Sequence, residues 1–193
     1  MIRAFVLALI GSLAIAGCQQ ESVQEDSNQG AVASLERPAP VINGIDQIGN
    51  AFRSTQLHGS YWLASFMFTT CQTVCPALNS IQSDLAATYG PRGLRFVSIS
   101  TDPDNDTPAA LSAYAERYKA KTGTWWMLNM PIDTVISVAT RGFAVMAPEH
   151  PDMHSTRFVL VDAQQQILDY FDSADTTEIR RLRETLDRLL ATK

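Results

Sequence analysis

Apolar residues along the chain fall into two kinds of pattern. Residues 61–68, Tyr61-Trp62-Leu63-Ala64-Ser65-Phe66-Met67-Phe68, form a near-continuous run of strand length, and residues 94–100, Leu94-Arg95-Phe96-Val97-Ser98-Ile99-Ser100, form a second. Such runs suit strands covered on both faces, as at the centre of a parallel or mixed sheet. Between them Leu78, Ile81 and Leu85 recur at helical spacing, just after Pro76. Proline is favoured at a first helical position, where its missing N–H costs nothing. The pattern predicts strand, helix, strand. A second helix follows, with Thr107 as its cap, Pro108 at its first position and Leu111, Tyr114 and Tyr118 as its inner stripe. Residues 132–143 predict a shorter helix. Residues 156–162 and 167–171 predict two strands of a hairpin around a turn at 163–166. The last helix carries Ile179, Leu182, Leu186 and Leu189 on one stripe, and Asp175 precedes Glu178 by three, as in a capping box.

This order predicts an α/β protein with a thioredoxin-like fold: a central mixed sheet flanked by helices, with an added N-terminal hairpin. It places the stretch Thr69-Thr70-Cys71-Gln72-Thr73-Val74-Cys75-Pro76 at the carboxyl end of the first central strand, where open α/β sheets hold their sites.

The N-terminus changes the compartment. Residues 1–17 have a charged start at Arg3, an apolar run and small residues before Cys18, the layout of a secretory signal and too short for a membrane span. Ile15-Ala16-Gly17-Cys18 resembles the lipobox of bacterial lipoproteins, which implies cleavage before Cys18 and lipid on its sulfur. Residues 18–40 are polar, small and proline-tailed, and predict a linker between that lipid and a domain at 41–193. The protein is then exported and lipid-anchored on the extracytoplasmic, periplasmic face of a membrane, with no spanning helix left. Of three cysteines, one takes lipid and the pair Cys71 and Cys75 faces an oxidising compartment. Loss of Arg3 takes the net charge from −5 to −6, so nothing points to nucleic acid.

The pair has several readings. Pro76 disfavours helical geometry at Cys75, which predicts Cys75 as the helix cap and Cys71 in the loop before it. Helix N-terminal N–H groups favour a thiolate there, the form that acts as nucleophile and metal ligand. A structural disulfide needs Cα atoms ~4.4–6.8 Å apart, which a curled loop can supply. A loop this small adds only about 2 kcal/mol. A dithiol oxidoreductase usually has two intervening residues, and the three here widen the ring. Soft thiolates also select Cu(I), zinc or iron–sulfur, given a third ligand. His58 sits in a predicted turn and faces solvent. His150 and His154 have the H-x-x-x-H spacing, but Pro151 argues against the zinc-protease helix. A Cys71/Cys75/His150/His154 zinc site stays open at this point. The run Asp102 to Asp106 has Thr107 and Ala113 where a calcium loop needs glycine and glutamate, so it predicts a strand-to-helix turn. Met146 and Met153 predict core or loop filling.

Three segments together resemble the Sco/SenC family. Phe66 to Pro76 is similar to its F-x-F-T-x-C-x-x-x-C-P signature, and Ser100 to Pro108 to its S-x-D-P-x-x-D-T-P segment. Asp152-Met153-His154-Ser155, followed by the strand from Phe158, is similar to its histidine approach. The resemblance implies a thioredoxin-like, membrane-anchored copper protein with ligands Cys71, Cys75 and His154, and Asp152 as a neighbour. It further implies a role in assembling the copper centre of cytochrome c oxidase, with subunit II as the copper-accepting partner. The working form is a copper carrier, or alternatively a thiol–disulfide reductant of the receiving protein's cysteines through Cys71 and Cys75. Two departures stand out: a lipid anchor in place of a retained helix, and no glycine in the turn after Asp162.

Overall fold

The computed structural model describes residue 35 and residues 37–146 and 155–191. Nine elements build the sheet and its site end: strands β1 (Arg37–Pro38), β2 (Asn43–Asp46), β3 (Ala51–Arg53) and β4 (Trp62–Met67), helix α1 (Cys75–Tyr89), β5 (Arg95–Ser100), α2 (Pro108–Arg117), β6 (Trp125–Asn129) and α3 (Ile132–Ser137). A π-helical turn, Val138–Gly142, continues α3, and β7 (Arg157–Val161), β8 (Gln166–Asp172) and α4 (Thr176–Leu189) close the domain. The sheet order is β1-β8-β7-β4-β5-β6-β2-β3. Strands β4, β5 and β6 are parallel, and every other neighbouring pair is antiparallel. The predicted mixed, thioredoxin-like sheet is present, with β2 and β3 as the added N-terminal hairpin.

Every residue of β4 is buried, as its unbroken apolar run predicts, because both faces are covered. Leu63 and Met67 join the core under α1, α2 and α4, with Leu78, Leu85, Leu111, Leu182 and Leu186. Trp62, Ala64 and Phe66 face the other way, against Val135, Val138 and Phe143. Ser65 is buried on the α1 side, where its hydroxyl meets that of Ser98 at 2.9 Å. Ser98 also accepts from Gln82 Nε2 at 3.0 Å and Trp125 Nε1 at 2.9 Å, so these buried polar groups partner one another.

Four expectations move. The apolar pattern predicts no element at residues 119–131, yet β6 extends the parallel sheet there. Its five residues carry no alternation, because both faces are packed, and part of its edge is bridged by a side chain. Gln47 Nε2 donates to Trp125 O and Gln47 Oε1 accepts from Met127 N–H, each at 2.9 Å, in place of a strand's backbone. Second, the linker ends before residue 40: β1 pairs with β8, and Ala39 N–H donates to Gln165 O at 2.8 Å. A segment without an apolar face still docks when it satisfies an open strand edge. Third, Asp175 caps α4 by accepting from Thr177 N–H at 2.7 Å, but Glu178 turns to Arg181 and completes no capping box. Fourth, the turn after Asp162 does without glycine because Gln165 itself takes the left-handed conformation, φ 64°. The Asp162 carboxylate stabilises that turn by accepting from Gln164 and Gln166 N–H at 2.9 and 2.7 Å.

The hairpin β7–β8 and the caps at Thr107 and Asp175 fall where the pattern puts them. Among the described residues no helix is long and apolar enough to cross a membrane. The signal at 1–17, Cys18, most of the linker, and His150, Asp152, Met153 and His154 lie outside the described residues.

Candidate metal centre

The parallel strands β4, β5 and β6 end side by side, and the loops leaving them are laced together. At the head of the β4 loop, Cys71 N–H donates to Phe68 O at 3.3 Å. Thr69 next to it is held by Asp106, a carboxylate with 0% exposure. Thr69 N–H donates to Asp106 Oδ1 and Oδ2 at 3.1 and 3.2 Å, and the Thr69 hydroxyl donates to Oδ1 at 2.5 Å. The Ser100 hydroxyl, at the end of β5, donates to Oδ2 at 2.5 Å. From the end of β6, Asn129 Nδ2 donates to Pro103 O and Asp106 O at 2.7 and 2.9 Å. Among the described residues no cation pairs with this buried carboxylate, and donors from two loops surround it instead.

Cys75 opens α1. The cap is Val74, in helical conformation and without a side-chain cap bond, so Cys75 is the first helical residue and Pro76 the second. The expectation of Cys75 as the cap is off by one position. Pro76 still removes only an N–H that has no intrahelical acceptor, since the first four are all orphans. One turn later the buried Asn79 donates through Nδ2 to Cys75 O at 2.9 Å and to the Tyr114 hydroxyl at 3.2 Å, tying the head of α1 to α2.

Both thiols are free and buried, Cys71 with 7% exposure and Cys75 with 2%. Their chemistry diverges. Burial opposes ionisation of Cys71, but the N–H and thiol of Cys75 and the hydroxyl and N–H of Thr73 outweigh it and lower its pKa to about 7. The Thr73 hydroxyl lies 3.6 Å from its sulfur. Burial pushes Cys75 up to about 12; the backbone N–H of Phe68 pulls against it, while the Cys71 thiol and charge and the Asp106 charge add to it. One thiolate is thus ready near neutrality, and the other sulfur holds its proton until a cation or a partner takes its place.

This asymmetry has a measurable consequence. In reduced, metal-free protein at pH 7.5, iodoacetamide is expected to modify Cys71 at least about a hundredfold faster than Cys75. The Cys71 rate should fall as pH drops through about 7, where its thiolate is protonated. Peptide mapping over a pH series checks it; equal rates, or a Cys71 midpoint near that of an ordinary thiol, would contradict the geometry.

The other predicted candidates separate. His58 is exposed in the turn before β4, at the opposite end of that strand from Cys71, as its solvent-facing reading has it. Residues 102–106 form the strand-to-helix turn, and Met146 is half-buried against the core cluster that includes Trp62 and Phe66. Among the described residues no three His, Cys, Asp or Glu side chains cluster as a metal site. Met146 and Ser155 are the described residues on either side of 147–154. Asn79 and Asn129 are supporting residues that sequence reasoning did not single out, and Asp106 entered it only as part of the turn at 102–106 and of the Ser100 to Pro108 segment. Its role left no local mark, because Asp106 ends the polar run Asp102-Pro103-Asp104-Asn105-Asp106 just before the Thr107-Pro108 helix start.

Comparisons with known proteins bear on this geometry. The SCO1/SenC family model matches residues 42–191. A SCO1/SenC family lipoprotein from Bacillus anthracis is similar over 81% of this chain and 96% of that one, with 28% identity and a TM-score of 0.72. The structure of BsSco, a member of the Sco family of cytochrome c oxidase assembly proteins in which a disulfide switch was identified, covers 83% of this chain and 98% of its own, with 25% identity and a TM-score of 0.70. A Stutzerimonas stutzeri protein named for copper binding is 27% identical over 121 residues, 60% of this chain and 57% of that protein.

Proposed function

Because the chain belongs to the SCO1/SenC family, as the match over residues 42–191 establishes, we propose that it is a membrane-tethered copper carrier serving assembly of the cytochrome c oxidase copper centre. Copper is its cargo, and the ligands are Cys71, Cys75 and His154. The observation that carries this reading is the pair of free thiols at the β4–α1 junction, one lowered to about 7 and both largely out of water. Two sulfurs and one neutral imidazole suit Cu(I), a soft ion that accepts three-coordination. A low coordination number leaves room for an incoming ligand, so copper passes to an acceptor by exchange. Subunit II of the oxidase, whose copper centre is the family's target, is the acceptor that the reading favours. Lipid on Cys18 and the linker after it would keep the domain on the periplasmic membrane face, a reading that the lipobox supports and that the B. anthracis lipoprotein parallels.

A second reading has its own support. A ready thiolate at Cys71 beside a protonated Cys75 is the division of labour of an attacking and a resolving thiol. Reduction of a receiving protein's disulfide would oxidise this pair and remove the copper site, and the disulfide switch identified in BsSco fits that alternation.

Titration of reduced protein with Cu(I) separates the readings. The carrier is expected to bind one copper per chain, His154→Ala to weaken it by more than about a hundredfold, beyond the loss of an outer-shell partner, and His150→Ala to leave it unchanged. Unchanged copper binding in His154→Ala, with reductase activity retained, would leave the oxidoreductase. Equal losses from the His150 and His154 variants would point to a Cys₂His₂ zinc site.

A further inference from the structure

The two ends of the sheet carry opposite charge. Exposed acids crowd the end that holds the thiol pair: Asp104 after β5, Asp133 in the first turn of α3 and Asp175 at the cap of α4. At the other end β4, β5 and β6 begin and α1 and α2 finish, and cations gather there. Arg92 and Arg95 flank the α1–β5 turn, and Lys119 and Lys121 lie in the turn between α2 and β6. Of the acids nearby, Asp187 pairs with Arg92 at 2.7 Å and Asp162 is engaged by its own turn, while Asp84, Glu116 and Glu184 lie on the exposed flanks of helices. Such signs suit helix ends in general, but the two lysines lie beyond α2. Both are exposed, and among the described residues neither side chain has a hydrogen bond or ion pair. Their turn is fixed: Lys119 holds φ 57°, and Thr124 and Trp125 N–H both donate to Lys121 O, at 3.0 and 2.9 Å. With Ser83, Ala86, Ala87 and Thr124 they line a notch of about 200 Å³, whose small side chains leave room for a phosphate-sized group beside the lysines. The chain enters the domain at this end. Strand β1 pairs with the first residues of β8, Arg37 with Ile167 and Pro38 with Gln166, beside the β7–β8 turn. As a flexible chain, the predicted linker from Cys18 to Leu35 spans roughly 20–25 Å, less than the roughly 40 Å diameter of a domain this size. Lipid on Cys18 would hold this end nearer the bilayer than the thiol end.

We propose that this basic end is a docking face for an anionic phospholipid surface, with the notch beside Lys119 and Lys121 taking a headgroup phosphate, so that the domain stands on the bilayer with its thiol end turned to the aqueous side. The inference takes its geometry from the tether reading and its chemistry from described residues. Each cation near an anionic surface adds about fivefold to the attraction. The chain as a whole is acidic, so the attraction belongs to one end and acts only within about 8 Å at physiological salt. Asp104, Asp133 and Asp175 are repelled by the same surface, which fixes the orientation. A partner then meets the Cys71 and Cys75 end from the water, without the domain having to turn over on its tether.

Backbone amide exchange of the reduced full chain, held by its own lipid in vesicles, tests it. Compared with phosphatidylcholine alone, vesicles with about a third phosphatidylglycerol are expected to slow exchange at residues 119–124 by about fivefold and to leave residues 69–73 and 102–106 unchanged. Lys119→Gln/Lys121→Gln removes two cations, about twenty-five-fold of the attraction, and should exchange alike in both vesicles with a melting temperature near wild type. Salt at about 0.5 M should abolish the difference in the wild-type chain. Equal exchange at 119–124 in the two vesicles overturns the face, while flotation with neutral vesicles keeps the tether. Slowing at 102–106 in place of 119–124 also overturns it, since the domain then docks by its other end. Slowing that survives the double variant or the salt does not come from these charges, and the proposal falls. A chain that fails to float with neutral vesicles lacks the anchor, and retention on anionic vesicles then decides the face by itself. Salt-sensitive retention that the double variant loses supports it, and no retention overturns it.

Discussion

Cys75→Ala is expected to lower Cu(I) affinity by at least about three decades, ~4 kcal/mol, while costing the fold about 1 kcal/mol. The two numbers differ because the residue does two things. As a buried side chain, Cys75 is one sulfur among apolar neighbours at the head of α1, and alanine keeps the helix and loses little packing. In the proposed ligand set it has no substitute, since a single thiolate and an imidazole would leave Cu(I) two-coordinate and exposed to competing donors. The variant also changes the sulfur that remains. Cys71 owes its lowered pKa in part to the Cys75 thiol, which alanine removes, and in part to the Cys75 N–H, which alanine keeps. Its titration should therefore move up from about 7 towards an ordinary thiol, and its alkylation at neutral pH should slow. Chelator competition gives the affinity, and thermal unfolding gives the stability. A structural staple would produce the reverse pattern, with loss of stability in the oxidised protein and little change in copper. Affinity within tenfold of wild type would remove Cys75 from the ligand set.

What the sequence discloses about this site, and what it hides, follows from the range of the forces involved. The cysteine pair, Pro76 and the apolar run of β4 are local signals: a strand buried on both faces and a proline at a helix start each leave a mark within ten residues. The helix start is off by one position because Pro76 is harmless anywhere in the first turn, so it cannot tell Val74 from Cys75 as the cap. Residues 125–129 leave no such mark, for the opposite reason. A short strand between Gly123 and Pro131 has no periodicity of its own, and the ladders to β5 and β2 and the bridge from Gln47 make it one. The end of the linker is hidden too, because composition reports apolar burial and Arg37 is held by hydrogen bonds to carbonyls more than a hundred residues away. His154 is the extreme case: the family resemblance names it, whereas spacing leaves it level with His150.

Asp106→Ala is expected to destabilise the domain by about 3 kcal/mol, because it orphans three donors at once, the part-buried Thr69 N–H and hydroxyl and the buried Ser100 hydroxyl. In a domain of this size that is a fall in melting temperature of about 10 °C. Asp106→Asn keeps one oxygen and should cost less, about 1–2 kcal/mol, since a hydroxyl can reorient but the amide nitrogen accepts nothing. Both variants remove a negative charge that helps hold the Cys75 proton in place, so the Cys75 pKa should fall from about 12 even as the fold weakens. Stability and thiol acidity thus move in opposite senses, which separates the two roles of one carboxylate. A more acidic Cys75 surrenders its proton to copper more readily, while a Thr69–Cys71 turn released from its anchor loses order that the ligands need. Calorimetry of the two variants, with alkylation of Cys75 followed up to pH 12, measures each effect alone. If Asp106→Asn lowers the melting temperature but leaves the Cys75 titration where it was, the carboxylate organises the loops without tuning the sulfur, and the asymmetry between the two thiols comes from burial and from their contact with each other.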